Sequence, residues 1–388
     1  MLSIQNKKNR VVLSDYPYRK DITNRLFLES LSPFEIQVLQ ELLCLGTKFP
    51  LADLAESCSV SIDEVAKIVD KFSRSGLLMR QNEMLFVDKE LRKYFEFQIA
   101  TFDPTFVADL DYFQGLLTKV PISVLPAWYC IPKTSDNIFS SIVEKYLLTP
   151  KLYEKYLSEL VFDEPLCNKI IDEVFSSPDF MLPAEVLRQR LTLSKEKLQE
   201  CMLLLEFHFV LASSFVLVED EWKEMISPFS EWHQYRLLLQ NTVPKPIEHS
   251  CEIKSALNGE PPLPSFTQFR NTLDALHNQY GSSVGSIEKG YREIEKALGD
   301  IKSEGWILFD DFMKMATFAL GSQEQITLRR RNKKWQYAVP AYNQEETSFI
   351  KQVIFELLVH AGITHTGQYN GKSCFQITAF GRISLERE

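Results

Sequence analysis

The chain has 388 residues, a net charge of -9, a pI near 5.4 and a hydrophobic content of 45%. That length accommodates two or three ordinary domains. The apolar content excludes wholesale disorder, and the acidic balance excludes a protein that coats nucleic acid along its whole surface.

The first 25 residues are locally basic, with Lys7, Lys8, Arg10, Arg19, Lys20 and Arg25 against Asp15 and Asp21. No apolar leader-like core follows Met1, and no run of about 18 apolar residues could cross a bilayer. The seven cysteines are odd in number and scattered, without paired C-x-x-C spacing. A reduced, cytoplasmic setting without membrane contact is the expectation. Residues 1–30 are read as a basic N-terminal arm.

Ser32 opens the first periodic unit, residues 31–100. "SPFE" is a capping box with Pro33 at the first helical position, and Ile36, Leu39 and Leu43 then recur at helical spacing until Gly46. A short helix follows from Pro50 through Cys58. A second box, "SIDE" (Ser61 to Glu64), starts a helix with Ile62, Val65, Val69 and Phe72 inward. The runs "LLMR" and "MLFV" around "QNE" predict a hairpin. Three helices closed by a hairpin is the pattern of a winged helix-turn-helix.

The same order recurs over residues 164–242: a helix at 164–176, a second at Leu182 to Leu191, a third capped by Ser194, then a hairpin around Ser213 and Ser214. Residues 101–163 form a proline-bearing helical connector between the two units. A proline-rich linker, 243–266, precedes a C-terminal helical region, 267–388, that ends in a third winged-helix domain. Within that region the sequence predicts helices at Ser265 to Gln279, Ile287 to Lys302 and Trp306 to Phe318. A strand-turn-strand around Asn332 follows, then a helix capped by Asn343. The expected fold class is α+β, mostly helical, with repeated winged helix-turn-helix domains.

Gly371-Lys372-Ser373 has the ending of a phosphate-binding loop. Such a loop needs G-x-x-x-x-G-K-[ST] between a strand and a helix, but Gly367 is one residue too close and "CFQITAF" alternates like a strand. Asn370-Gly371 reads instead as a two-residue hairpin turn. No nucleotide site, no cofactor and no small-molecule substrate is implied.

The ending "ELLVHAGITHTGQ…FQITAFGRISL" resembles the close of winged-helix modules in accessory proteins and accessory domains of transcription and repair helicases. There, a helix ending in Leu-x-x-x-Gly precedes a hairpin finishing in Leu/Ile-Thr-x-x-Gly-Arg-x-x-Leu. Here the final Gly-Arg is Gly381-Arg382. The resemblance covers only the C-terminal end, and it implies an association with transcription or DNA handling.

In a DNA-reading winged helix the third helix enters the major groove. In the first unit that helix offers Lys67, Lys71 and Arg74 as candidate recognition residues, set against Asp63, Glu64 and Asp70, with Asp63–Lys67 and Asp70–Arg74 spaced to pair. In the second unit Lys195 and Lys197 are offset by Glu196, Glu200 and Glu206. Residues 150–260 contain 19 acidic and 11 basic residues. The denser polyanion candidate is Arg329, Arg330, Arg331, Lys333 and Lys334 at the expected C-terminal hairpin, with Lys372 on the next one. Trp335 and Tyr337, alternating on one strand face, are read as core. The six histidines show no metal spacing, and Asp310 and Asp311 are adjacent on a helix rather than convergent. Two functions remain open: a non-enzymatic component of transcription or DNA-handling machinery that meets nucleic acid through the C-terminal hairpin, and an adaptor that binds only proteins.

Overall fold

The computed structural model describes residues 11–121, 123–126, 137–249, 252–255, 264–321 and 326–386. Lys7, Lys8 and Arg10 of the basic arm lie outside them. The chain is α+β and mostly helical, with small antiparallel sheets. It forms two compact units, Met1–Leu147 with Tyr153–His233, and Leu148–Leu152 with Gln234–Glu388.

The first unit begins with helix α1 (Tyr18–Glu29) and contains one pattern of elements twice. Its first copy runs α2 (Pro33–Cys44), β1 (Lys48–Pro50), α3 (Leu51–Cys58), α4 (Ile62–Arg74), β2 (Leu78–Gln81) and β3 (Met84–Val87), followed by α5 (Lys89–Gln98). The sheet order is β1-β3-β2. Both expected capping boxes close. Ser32 N donates to Glu35 at 2.8 Å, and Ser61 N to Glu64 at 3.2 Å. Each box thereby satisfies N–H groups that a helix start would otherwise leave open. Leu39, Leu54, Val69, Phe72 and Leu85 bury completely between the helices and the sheet, whereas Ile62, expected inward, is exposed in the first turn of α4.

The second copy runs α6 (Pro165–Phe175), β4 (Leu182–Pro183), α7 (Ala184–Leu191), α8 (Lys195–Phe207), β5 (Leu211–Val218) and β6 (Glu221–Pro228), with sheet order β4-β6-β5. Its first two helices are joined through a two-residue strand that pairs with the far strand of the hairpin, as β1 does in the first copy.

A buried ionic cluster ties α1 to α8. Arg25, whose position in the sequence assigns it to the basic arm, is not part of a free tail. Its guanidinium donates to both Glu206 oxygens at 3.0 and 2.7 Å and to Asp21 at 3.0 Å. Tyr94 and Tyr16 hydroxyls donate to Asp21 at 2.6 and 2.7 Å. Asp21, Arg25 and Glu206 are all buried. Burial opposes the Arg25 charge, but Glu206 and Asp21 outweigh it and hold its pKa well above the usual value. Beside the cluster, Gln199 donates to both oxygens of buried Glu224 at 3.0 Å. A cavity of about 20 Å³ there is large enough for one water. Phe102 adds an apolar tie, stacking on Phe215 of β5 at 4.0 Å and meeting Trp222 of β6 edge-on at 5.3 Å.

The second unit has a similar order of elements around a four-stranded sheet, with a separate two-stranded ribbon inserted. After α9 (Phe266–Tyr280) come α10 (Ile287–Gly299), β8 (Ile307–Leu308) and α11 (Phe309–Met315). The third helix, α12 (Gln344–Gln352), continues through a π-turn at Val353–Leu357 to His360. Strands β11 (Thr364–Tyr369) and β12 (Lys372–Ile377) and helix α13 (Ala379–Leu385) finish the chain. The two strands β9 (Thr327–Arg331) and β10 (Lys334–Ala338) fall between α11 and α12 and form a sheet of their own. The expected helix from Trp306 to Phe318 is shorter, because Ile307 and Leu308 pair with Phe375 and Cys374 of β12. The described part of the proline-rich segment packs against this unit. Lys254 and Ser255 form β7, an edge strand paired with β11, and Ile247 N donates to Trp306 O at 2.7 Å.

The Thr-x-x-Gly-Arg ending has a structural explanation. Thr378 accepts from Gly381 N at 2.8 Å and donates to Gly362 O at 2.6 Å. A Cβ on Gly381 would lie 2.3 Å from Ile363 O. Arg382 donates to the carbonyls of Ile301 and Ser303. The motif thus locks α13 onto the base of the hairpin.

The cluster and the glycine each set a stability outcome. Arg25→Met should cost about 3–5 kcal/mol, because it strands two buried carboxylates, whereas Asp21→Asn, Arg25→Met and Glu206→Leu together should cost less than the single change. Denaturant unfolding monitored by circular dichroism measures both, and a triple variant less stable than the single one would contradict the cluster. Gly381→Ala should destabilise by about 1–3 kcal/mol, since the backbone of Ile363 must move. An unchanged unfolding midpoint would contradict that close approach.

Candidate nucleic-acid interface

Strands β9 and β10 pair antiparallel, and Asn332 (φ 51°) and Lys333 (φ 65°) make the two-residue turn in left-handed conformation. Two positive-φ residues match the twist of a hairpin. The register pairs Lys334 with Arg331, Trp335 with Arg330, Gln336 with Arg329 and Tyr337 with Leu328. Directly opposed residues share a face, so the two faces of the ribbon differ in kind.

One face carries Leu328, Arg330, Trp335 and Tyr337. Leu328 is buried and its N–H donates to Leu148 O at 2.7 Å, while the Tyr337 ring lies 5.3 Å from that of Tyr235. Tyr337 therefore packs inward, as its alternation predicted, and the Trp335 indole nitrogen is buried as well. The opposite face carries Arg329, Arg331, Lys334 and Gln336. Every residue from Arg329 to Lys334 is exposed. Among the described residues, no ion pair engages the side chains of Arg331, Lys333 or Lys334. Arg329 and Arg330 make short-range hydrogen bonds, to Thr327 and to the Lys333 carbonyl.

Lys372 sits on a different hairpin, after the Asn370-Gly371 turn (φ 48° and 75°), and faces Asp310 at 3.9 Å. Both residues are exposed, so the pair leaves little local charge. Lys372 and Ser373 begin strand β12 rather than a helix, and Gly371 simply forms the turn.

The candidate recognition helix α4 behaves differently from its sequence pattern. Lys67 and Arg74 are not engaged as expected: among the described residues, the Asp63–Lys67 and Asp70–Arg74 ion pairs do not form. Lys71 turns back to Glu35 of α2 at 2.8 Å and to Ser30 O at 3.2 Å. All three third helices carry acid in the first turn: Asp63 and Glu64 on α4, Glu196 on α8, Glu345 and Glu346 on α12. Negative charge at a helix N-terminus occupies the place where a phosphate would bind. Helix α8 is further occupied by its neighbours, through Lys195 to Glu29 at 2.6 Å, Lys197 to Glu164 at 2.5 Å and Glu206 to Arg25.

Among the described residues, no cluster of three or more His, Cys, Asp and Glu side chains is placed to hold a metal ion. No described helix is long and apolar enough to cross a membrane. Asp311 pairs with Lys314 at 2.6 Å while Asp310 faces Lys372, so those adjacent carboxylates diverge. Cys167 and Cys201 are fully buried in the core of the second copy, and a hydrogen bond with Cys201 together with burial pushes the Cys167 thiol up. An open groove of about 730 Å³ in the second unit is bordered by Lys289 and Lys296, but Glu293 and Asp300 alternate with them along and just after α10.

Glu231 is the clearest titratable feature. It is buried, accepts from Leu110 N at 2.9 Å, and its second oxygen is buried without a hydrogen-bond partner among the described residues. Burial raises its pKa from 4.5 to about 7, against the opposing pull of that hydrogen bond.

Neither a protein-family model, nor a curated protein sequence, nor a solved structure matches the chain.

Because Glu231 holds its proton more tightly folded than unfolded, its contribution to stability is full below about pH 4.5 and is lost as pH rises through about 7. Glu231→Gln should remove that decline, which is on the order of 3 kcal/mol between pH 4.5 and 8. Unfolding free energies at the two pH values measure it. A variant that loses as much stability as the unmodified chain would contradict the assignment.

Proposed function

We propose that the chain is a non-enzymatic component of transcription or DNA-handling machinery, built on three winged helix-turn-helix units, that meets nucleic acid through the β9–β10 ribbon. The recurring element and strand orders support the winged-helix reading. Each copy has a helix, a short strand, two further helices and a hairpin whose last strand lies between the short strand and its hairpin partner; in the third copy β7 extends the sheet at its edge. In the third copy the ribbon is inserted ahead of the third helix.

The observation that carries the functional reading is the charge on that ribbon. Five cations stand exposed within six residues, on a sheet anchored from its other face, and three of them have no ionic partner among the described residues. Such charges stay hydrated and screened until a polyanion replaces their counterions, and that release drives association. The winged units themselves are read as docking surfaces, since their third helices present acid where phosphate would approach.

One observation favours the adaptor reading instead. The tip of the β5–β6 hairpin exposes Val216, Leu217 and Val218 next to Glu219, Asp220 and Glu221, a surface suited to protein rather than to DNA.

A salt series on mixed-sequence duplex DNA separates the two. The intact chain should bind with an affinity that falls steeply with salt. Changing Arg329, Arg330, Arg331, Lys333 and Lys334 to Ala should weaken binding and flatten the slope by about 0.9 for each phosphate that is no longer neutralised. No binding at low salt would leave only the adaptor.

A further inference from the structure

We infer that the β9–β10 ribbon is a major-groove probe for B-form duplex DNA, as opposed to a clamp for single strands or for duplex RNA. This inference rests on the nucleic-acid reading above and names the ligand of the same site.

Single-strand binders combine a basic track with aromatic rings on which unpaired bases stack. This ribbon has the cations, but its rings are committed elsewhere. Tyr337 packs on Tyr235, and the Trp335 nitrogen is buried on the same inward face. The outward face offers Arg329, Arg331, Lys334 and Gln336 and no aromatic side chain. A free base would find charge there but nothing to stack on.

Duplexes are distinguished by groove dimensions. The B-form major groove, about 12 Å wide, admits a two-stranded ribbon. The A-form major groove of RNA is deep and too narrow for side chains to read. The ribbon can enter a groove because it belongs to no larger sheet. Arg329 and Arg331 lie two residues apart on one strand, about 7 Å along it. Lys334 stands opposite Arg331, and Gln336 opposite Arg329. Arginine and glutamine are the side chains whose paired groups match the edges of guanine and adenine, while lysine supplies a mobile charge for phosphate. Asn332 and Lys333 lead at the turn, where the hairpin is narrowest.

The test uses the full chain and three fluorescent probes of one sequence: duplex DNA, duplex RNA and single-stranded DNA. Arg329→Ala/Arg331→Ala/Lys334→Ala is compared with the unmodified chain, its fold checked by circular dichroism since all three side chains are exposed. Binding to duplex DNA should be at least about 10-fold tighter than to either alternative, and the variant should lose at least about 10-fold on duplex DNA. Methyl green, which occupies the major groove, should compete, and netropsin in the minor groove should not. Equal or tighter binding to RNA duplex or single strand, or competition by netropsin alone, would overturn the groove assignment while leaving the nucleic-acid reading intact. Absence of binding to all three probes would overturn both.

Discussion

A buried arginine determines which surfaces the first unit can offer. Arg25 reaches from α1 to Glu206 on α8, and with Asp21, Tyr16 and Tyr94 it forms a cluster whose three charged members are buried. Such a cluster contributes little net stability relative to an apolar core, but it penalises any arrangement that separates its members. Its location is what matters for function. Glu206 lies near the C-terminal end of the second copy's third helix, and Lys195 near the other end pairs with Glu29 of α1. In the proposed reading, a helix held at both ends by a neighbour serves the scaffold.

The same logic extends to the other third helices. α4 gives Lys71 back to α2, and α12 begins with a capping box whose Glu346 is buried. With acid in each first turn, none of the three offers the positive end that phosphate needs. In the proposed reading, hairpins take the outward role. They differ in charge: the β5–β6 tip is acidic and apolar, and the β9–β10 tip is basic. One chain can in this way present two chemically opposite contact surfaces on a repeated scaffold.

Much of the scaffold was legible in the sequence, for identifiable reasons. Capping boxes at Ser32, Ser61 and Asn343 and the stop at Gly362 mark helix ends through local chemistry, and Asn370-Gly371 marks a turn in the same way. The ribbon and its inward aromatics followed from alternation around Asn332. Strands of two or three residues, such as Lys48–Pro50 and Ile307–Leu308, carry no periodicity and exist only because a distant hairpin strand pairs with them. The burial of Arg25 was equally hidden, since its partner Glu206 is 181 residues away. The i,i+4 spacing of Asp21 and Arg25 was the one available signal.

The central claim is that the β9–β10 hairpin, and not the third helices, meets nucleic acid. Ultraviolet crosslinking of the full chain to duplex DNA, with adducts mapped by peptide mass spectrometry, tests it most directly. Adducts confined to the peptide containing Arg329 to Lys334 are the predicted result. Adducts on residues 62–74, 195–207 or 344–352 would contradict the account.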